Sequence, residues 1–505
     1  MIAAERLRSA VSVDVGGALN LVGAVIKYLS LAFLFPTALA LGYGEPAWLF
    51  LAGGAAAAAG GWGLERLTEG KERIGPREAF LVVALVWALA ALVVAVPYVL
   101  ADEPQLGPLD AYFEAMSGMT TTGASVLTDI EGLDRSLAMW RQFSQWLGGM
   151  GIIVLAVAIL PRLRIGGRQL LESELPGPDV EKLSATIRQT ARQLWILYIG
   201  LTAAAALVLA LLGWTGADPR MNLYEAVAHA FSTLPTGGFS TRARSIEAFG
   251  PATQWAIAFF MVVAGVNFAF MYRALRRPGK LVRDEELRVY LIVLTLAAAV
   301  LVAALAGRGI YEGEGAVRHA VFQVVSIMTT TGFASADFNQ WPIFAGMLLV
   351  ALMFIGGSAG STAGGIKVVR VLIVGRLLKR ELDQTVHREA VIPVRFNQVA
   401  VDERTVRNVL AFVLLYVVVF VLGVLGLVVS EAVNTVRADL TWPEAVSAAA
   451  ATLGNVGPGL GFLGPMGSYD SFAASSKAIM IALMWMGRLE LIPVAVLLTR
   501  SYWRS

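Results

Sequence analysis

Long apolar runs alternate along this chain with short polar breaks, and ten of the runs fall at roughly 17–43, 47–64, 79–101, 139–161, 193–214, 253–272, 287–307, 343–375, 406–430 and 475–498. Each is long enough to cross a hydrocarbon core of about 30 Å as a helix. The first two flank Gly42-Tyr-Gly-Glu45-Pro46 and predict an N-terminal hairpin within 1–70. Its second arm carries Gly53-Gly-Ala-Ala-Ala-Ala-Ala-Gly-Gly61, small residues that suit close helix packing in lipid. The other eight runs form four pairs, and each pair brackets a shorter stretch: 109–119, 221–234, 317–328 and 443–453. These stretches are too short and too polar to span, yet apolar enough to enter the membrane part way as re-entrant helices. The predicted fold is therefore an all-α polytopic membrane protein. It has ten transmembrane helices: an N-terminal two-helix hairpin and four membrane-pore-membrane repeats around one pore, at 71–180, 181–280, 281–395 and 396–505.

A recurrent motif follows each short stretch. Ser117-Gly-Met-Thr-Thr-Thr-Gly123-Ala-Ser125, Ser232-Thr-Leu-Pro-Thr-Gly-Gly238-Phe-Ser240 and Ser326-Ile-Met-Thr-Thr-Thr-Gly332-Phe-Ala334 all place a serine six residues before a glycine. A fourth copy, Ala451-Thr-Leu-Gly-Asn-Val-Gly457-Pro458, keeps the glycine but has alanine for the serine. Glycine tolerates backbone angles that other residues resist, so successive carbonyls can turn toward one axis. Thr120, Thr121, Thr122, Thr329, Thr330 and Thr331 can add hydroxyl oxygens or brace the segment through side-chain bonds. A half-helix entering from outside and ending just before such a segment points its negative dipole end at the membrane centre. Backbone oxygens replacing a hydration shell are the chemistry of cation selection. Helix packing also uses glycine and threonine, but it does not require a fixed serine-to-glycine spacing.

Two further features lie within the apolar runs. The run 343–375 is interrupted by Gly356-Gly-Ser-Ala-Gly-Ser-Thr-Ala-Gly-Gly365, followed by Lys367. Non-helical backbone at that depth survives only against water or protein, and a loop below the third motif could obstruct a pore. The last run carries Met486-Gly487-Arg488-Leu489-Glu490, and a mid-membrane arginine usually faces a polar cavity. Glu490, two residues on, would not share its helix face, so a local pair is not expected.

Charge sets the orientation. Of the 40 Lys and Arg, 29 lie on the side that holds both termini, and 8 lie on the side bearing the motifs. The positive-inside rule then makes the termini cytoplasmic and turns the motifs outward. The outer side also carries 17 acids, among them Asp102, Glu103, Asp110, Glu114, Asp129, Glu131 and Asp134. Those acids read either as a negative vestibule that concentrates cations or as ordinary solvated loops. Composition agrees with a membrane protein: 57% of residues are hydrophobic and 15% charged. There is no cysteine, which excludes disulfides and thiolate chemistry. An enzyme is not expected, since His229, His319 and His387 are the only histidines and no metal cluster or Ser/His/Asp set converges. Neither Gly356–Gly365 nor Gly457-Pro-Gly-Leu-Gly461 meets the context of a nucleotide loop.

At these residues the chain resembles the Trk/Ktr/HKT superfamily of potassium transporters, and within it the bacterial TrkH/TrkG branch. The resemblance covers nearly the whole chain. It rests on the four motif loops, Gln145-Trp-Leu-Gly-Gly-Met-Gly-Ile152, Phe239-Ser-Thr-Arg242, Gly356 to Lys367, and Gly487-Arg-Leu-Glu490. It implies potassium uptake across the bacterial inner membrane through a channel-like selectivity filter, with a sodium- or proton-coupled symporter as the alternative. The filter would be built from Thr121, Thr122 and Gly123; Thr236, Gly237 and Gly238; Thr330, Thr331 and Gly332; and Asn455, Val456 and Gly457. The gate would be Gly356, Gly357, Ser358, Ala359, Gly360, Ser361, Thr362, Ala363, Gly364 and Gly365, with Lys367 and Arg488. Sodium-preferring relatives carry serine at the first filter glycine; Gly123 stands here and implies potassium as the ion. The resemblance further implies a homodimer and a cytosolic TrkA-like nucleotide-binding regulatory ring. No organic cofactor and no nucleic acid is expected. The basic stretch 366–407 is either that partner's docking surface or a plain cytoplasmic loop.

Overall fold

The computed structural model describes residues 13–68, 75–158, 180–276, 284–434, 436 and 439–503. Helix α1 (Val15–Leu29) continues through a 3-10 turn into α2 (Leu34–Tyr43), and α3 (Trp48–Leu67) returns beside it. The glycines explain how closely the arms approach. A Cβ on Gly61 would sit 2.6 Å from the Gly23 carbonyl oxygen, and one on Gly23 would sit 2.7 Å from the Gly61 oxygen. Small residues here let backbones touch. The Lys27–Glu65 ion pair crosses the same hairpin.

Four units of similar build follow. The first contains α4 (Pro76–Val94), α5 (Val96–Leu100), α6 (Pro108–Met119) and α7 (Arg135–Ala158). The second has α8 (Val180–Trp214), α9 (Leu223–Thr233), α10 (Pro251–Ala264) and α11 (Phe268–Arg276). The third has α12 (Glu285–Gly307), α13 (Gly313–Met328), α14 (Ile343–Met353) and α15 (Val368–Val386). After a two-stranded hairpin, Arg395–Phe396 with Val399–Ala400, comes the fourth: α16 (Glu403–Asn434), α17 (Trp442–Leu453), α18 (Ala474–Arg488) and α19 (Ile492–Leu497). A last short helix, α20, covers Arg500–Trp503.

The short helices α6, α9, α13 and α17 cover the four predicted short stretches, α13 starting four residues early, and the other three begin on a local signal. Asn222 accepts the Glu225 amide, Thr441 and Glu444 form a capping box, and Pro108 starts α6. Among the described residues, five helices are long and apolar enough to cross a membrane, or six if the bent pair α10–α11 is one span. The chain is a multi-pass membrane protein. Along α16, Leu414, Val418, Val421, Leu422, Leu425 and Val429 are exposed, an apolar face suited to lipid.

Two predicted spans are not continuous. The run 253–272 bends by 98° between α10 and α11. The run 475–498 breaks after Arg488, where Glu490 and Leu491 both take φ 58°. The third interruption, within 343–375, falls where the glycine-rich sequence places it. The side-chain core is shared between the units. One apolar cluster joins the hairpin to α4–α7 and α16–α18, and a second joins α8–α10 to α12–α14.

Candidate functional site

Each short helix ends in the same way. In α6, the Thr121 N–H donates to the Gly118 carbonyl at 3.0 Å and the Thr122 N–H to the Ser117 carbonyl at 2.8 Å. This is the Schellman end of a helix, with Thr121 as its left-handed residue. The long bond recurs from Gly237 to Ser232, Thr331 to Ser326 and Val456 to Ala451, each at 2.8 Å. The position six before the glycine is therefore used through its backbone carbonyl. Alanine serves as well as serine there, which is why the fourth copy keeps the fold. The hydroxyls of Ser117 and Ser232 indeed find no partner, while that of Ser326 donates to the Phe333 carbonyl at 2.6 Å.

Glycine is the usual left-handed residue at such a helix end. Here Thr121, Thr236, Thr330 and Asn455 occupy it with φ 52°, 55°, 57° and 54°. For β-branched threonine this costs about 1–3 kcal/mol per site. Two residues on, Gly123, Gly238, Gly332 and Gly457 are left-handed as well, at φ 81°, 80°, 81° and 101°. Four segments of different sequence thus share one backbone course, including Asn455-Val456-Gly457, which departs most in sequence.

These segments meet. A Cβ on Gly123 would strike the Gly237 carbonyl oxygen, one on Gly238 that of Thr331, one on Gly332 that of Val456, and one on Gly457 that of Thr122. The contacts run from the first segment to the second, third and fourth and back to the first, a closed ring. All twelve sequence-predicted filter residues belong to it. The ring is tied by side chains that differ from segment to segment. Thr120 Oγ1 lies 2.7 Å from Thr122 Oγ1, and Thr329 Oγ1 lies 2.8 Å from Thr331 Oγ1. Asn455 Nδ2 donates to Thr122 Oγ1 at 3.0 Å, linking the last segment to the first. The Tyr469 hydroxyl donates to the Gly457 carbonyl at 2.6 Å.

Directly beside the ring lies the loop 354–367. The Gly364 N–H donates to Thr330 Oγ1 at 2.7 Å. The Thr362 hydroxyl reaches the Leu234 carbonyl at 3.0 Å, and Ser358 N–H donates to the Gly265 carbonyl at 2.9 Å. Gly360 accepts the Phe268 N–H at 3.1 Å. The last two bonds explain the bend between α10 and α11: backbone groups freed there are taken up by the loop. Arg488 is 2% exposed, and its Nη1 donates to the Thr362 carbonyl at 2.8 Å. Its Nε and Nη2 have no partner. Lys367 is buried, has φ 80°, and its ammonium bonds the Ala363 carbonyl. Glu490 pairs with Arg370 of α15, so the absence of a local pair with Arg488 has a positive cause. The sequence-predicted gate residues, Gly356–Gly365, Lys367 and Arg488, therefore lie together in one assembly, buried except at Gly360, which is exposed, and at Ala359 and Gly365, which are half-buried.

Several residues of the site escaped the sequence reading. Glu114 and Arg141 were counted among outer-loop charges. They are instead a fully buried ion pair at 2.8 Å behind the ring, where Glu114 accepts from Ser125 Oγ at 3.0 Å and Arg141 donates to the Ser240 carbonyl at 3.2 Å. Asp110 bonds Lys477 at 2.6 Å, and Glu225 bonds Arg242 at 2.8 Å. These acids are thus paired with bases rather than free on a solvated loop. His229 is buried, bonded to the Glu225 carbonyl at 2.8 Å and to Ser240 Oγ at 2.9 Å, a satisfied structural histidine. Gln145 was visible as part of a motif, without a role. Polar residues at 141, 142, 144 and 145 in an otherwise apolar run were the available signal.

Comparison with known proteins places this architecture. Residues 49–504 match the family TrkH, described as a cation transport protein. The Trk system potassium uptake protein TrkH of Salmonella typhimurium is 38% identical over 443 residues, covering 86% of this chain and 88% of that one. Trk system potassium uptake protein TrkG of Escherichia coli is 35% identical, covering 85% of this chain and 86% of that one. The crystal structure of the potassium transporter TrkH from Vibrio parahaemolyticus superposes with a TM-score of 0.86 at 34% identity, covering 97% of this chain and all of that one. These relatives are named as transport proteins, not enzymes.

Proposed function

The chain belongs to the TrkH family of cation transport proteins, and from that membership we propose that it takes up potassium across the bacterial cytoplasmic membrane through a channel-like filter. The single observation that carries the proposal is the closed ring of four glycine-centred segments. In this reading the carbonyls of Thr121–Gly123, Thr236–Gly238, Thr330–Gly332 and Asn455–Gly457 stand in for water around a potassium ion in transit. The half-helices α6, α9, α13 and α17 aim their carbonyl ends at it. Ten spans, as the hairpin and four membrane-pore-membrane units, surround that one pathway, with both termini cytoplasmic.

The loop 356–365 is the gate. It is tied to the ring through Thr330 and held by Arg488, whose charge stands on the cation path as a barrier. A cytosolic TrkA-like nucleotide-binding ring acts on it through 366–407, where α15, the 395–400 hairpin and the start of α16 pack around Val369, Ile373, Val394, Phe396, Val406 and Val409. The working unit is a homodimer in lipid. Flux through the purified chain in liposomes tests the reading. Potassium should pass in clear preference to sodium, and Gly332→Leu should abolish that preference, because a side chain there meets the Val456 carbonyl. An unchanged preference in the variant sinks it. Broken helices also occur in coupled transporters; a reversal potential that shifts with sodium or proton gradients would establish symport instead.

A further inference from the structure

We propose that Gln145 is a specificity-determining positioning residue, which holds the second filter segment in register by clamping the backbone on both sides of Gly238. The inference rests on the potassium-uptake reading of the ring. Gln145 is buried on α7, a helix of the first unit. Its Nε2 donates to the Gly237 carbonyl at 2.6 Å, and its Oε1 accepts the Phe239 N–H at 3.2 Å. One planar amide therefore satisfies a carbonyl and an N–H that flank the ring glycine, and the polarity of those two groups fixes which end of the amide faces which.

The second segment needs such a clamp because of its sequence. Immediately before the ring glycine the other segments have Thr122, Thr331 and Val456, each with a side chain of its own. Thr122 and Thr331 use theirs to brace the segment internally, against Thr120 and Thr329. The second segment has Gly237, and a Cβ there would collide with the Gln145 amide. Gln145 occupies the space that a side chain at 237 would fill, and supplies from a neighbouring unit the bracing that the segment lacks. The rest of the motif follows the same logic. A Cβ on Gly148 would strike the Met119 carbonyl at the end of α6, and one on Gly149 would strike Pro235 at the start of the second segment. One turn before Gln145, Arg141 donates to the Ser240 carbonyl. The outward half of α7 is thus the back wall of the second filter segment.

Carbonyl selection discriminates ions through the number and placement of its oxygens, so loss of the clamp should act on the ion ratio rather than only on the amount of folded protein. Gln145→Met keeps length and volume but removes both bonds, and Gln145→Glu keeps the acceptor alone. The full chain and both variants are reconstituted in liposomes, and potassium and sodium fluxes are compared. Thermal unfolding in potassium against sodium is measured in parallel, which reads ion preference in a variant that does not conduct. The inference expects the potassium-to-sodium flux ratio, or the potassium-specific thermal stabilisation, to fall at least about tenfold or vanish in Gln145→Met. A ratio and a stabilisation within twofold of the parent overturn it. Failure of both variants to accumulate in the membrane also overturns it, since Gln145 would then serve folding alone. Should the parent chain itself show no potassium preference, the fault lies with the functional reading.

Discussion

Threonine at the left-handed helix end is the least expected choice at the scale of single residues. Thr121 has φ 52° and no Cβ-free residue to relieve it, while Gly123 two positions on is left-handed too. Such strain persists where the surroundings over-determine the conformation. Thr121→Gly should therefore raise stability by about 1 kcal/mol, seen as a higher thermal unfolding midpoint, while it lowers the potassium-to-sodium flux ratio. A fall in both quantities would show that the threonine stabilises the segment rather than straining it. The spacing of serine and glycine was legible in the sequence, but its reason was not. The acceptor is the main-chain oxygen of Ser117, Ser232, Ser326 or Ala451, and side-chain identity says nothing about that.

Among the elements, those with local causes were legible. Three of the short helices were bounded to within two residues because Pro108, Asn222, Thr441 and the apolar spacing announce them, while α13, which has no side-chain cap, starts at Gly313, four residues before the predicted 317. The breaks at 265–267 and 489–491 were not, because their partners are distant: Ser358 for the Gly265 carbonyl, and Arg370 for Glu490. Glu114 and Arg141 misread as surface charges for the same reason, since the burial that pairs them is tertiary. The loop beside the ring is bonded to Thr330, Leu234, Gly265 and Phe268, and Arg488 adds one charge-assisted bond to the Thr362 carbonyl while two of its donors stay unpartnered. If the loop is the gate proposed above, Arg488→Gln should raise basal potassium flux severalfold without any regulatory subunit, by weakening that hold and removing a buried positive charge. Flux equal to or below that of the parent would assign the arginine to folding.

For the whole molecule, the distribution of Lys and Arg predicts outward-facing filter loops and inward-facing 366–407. The chain has no cysteine, so single cysteines report without further engineering. Glu131 and Arg388 are both exposed. Glu131→Cys should react with a membrane-impermeant thiol reagent added to intact cells, and Arg388→Cys should react only after the membrane is opened. The reverse pattern would invert the orientation and place the filter on the cytoplasmic side.

The circuit of contacts begins and ends at the two extremes of the amino-acid order. Thr122 meets Gly457, Asn455 reaches back to Thr122, and Tyr469 donates its own N–H to the Ser125 carbonyl at 2.8 Å. Two of the four junctions join segments made earlier, but the other two, Gly332 with Val456 and Gly457 with Thr122, must wait for α17 and the stretch after it. The order of the amino acids alone thus leaves the ring open until the final quarter of the chain has been made.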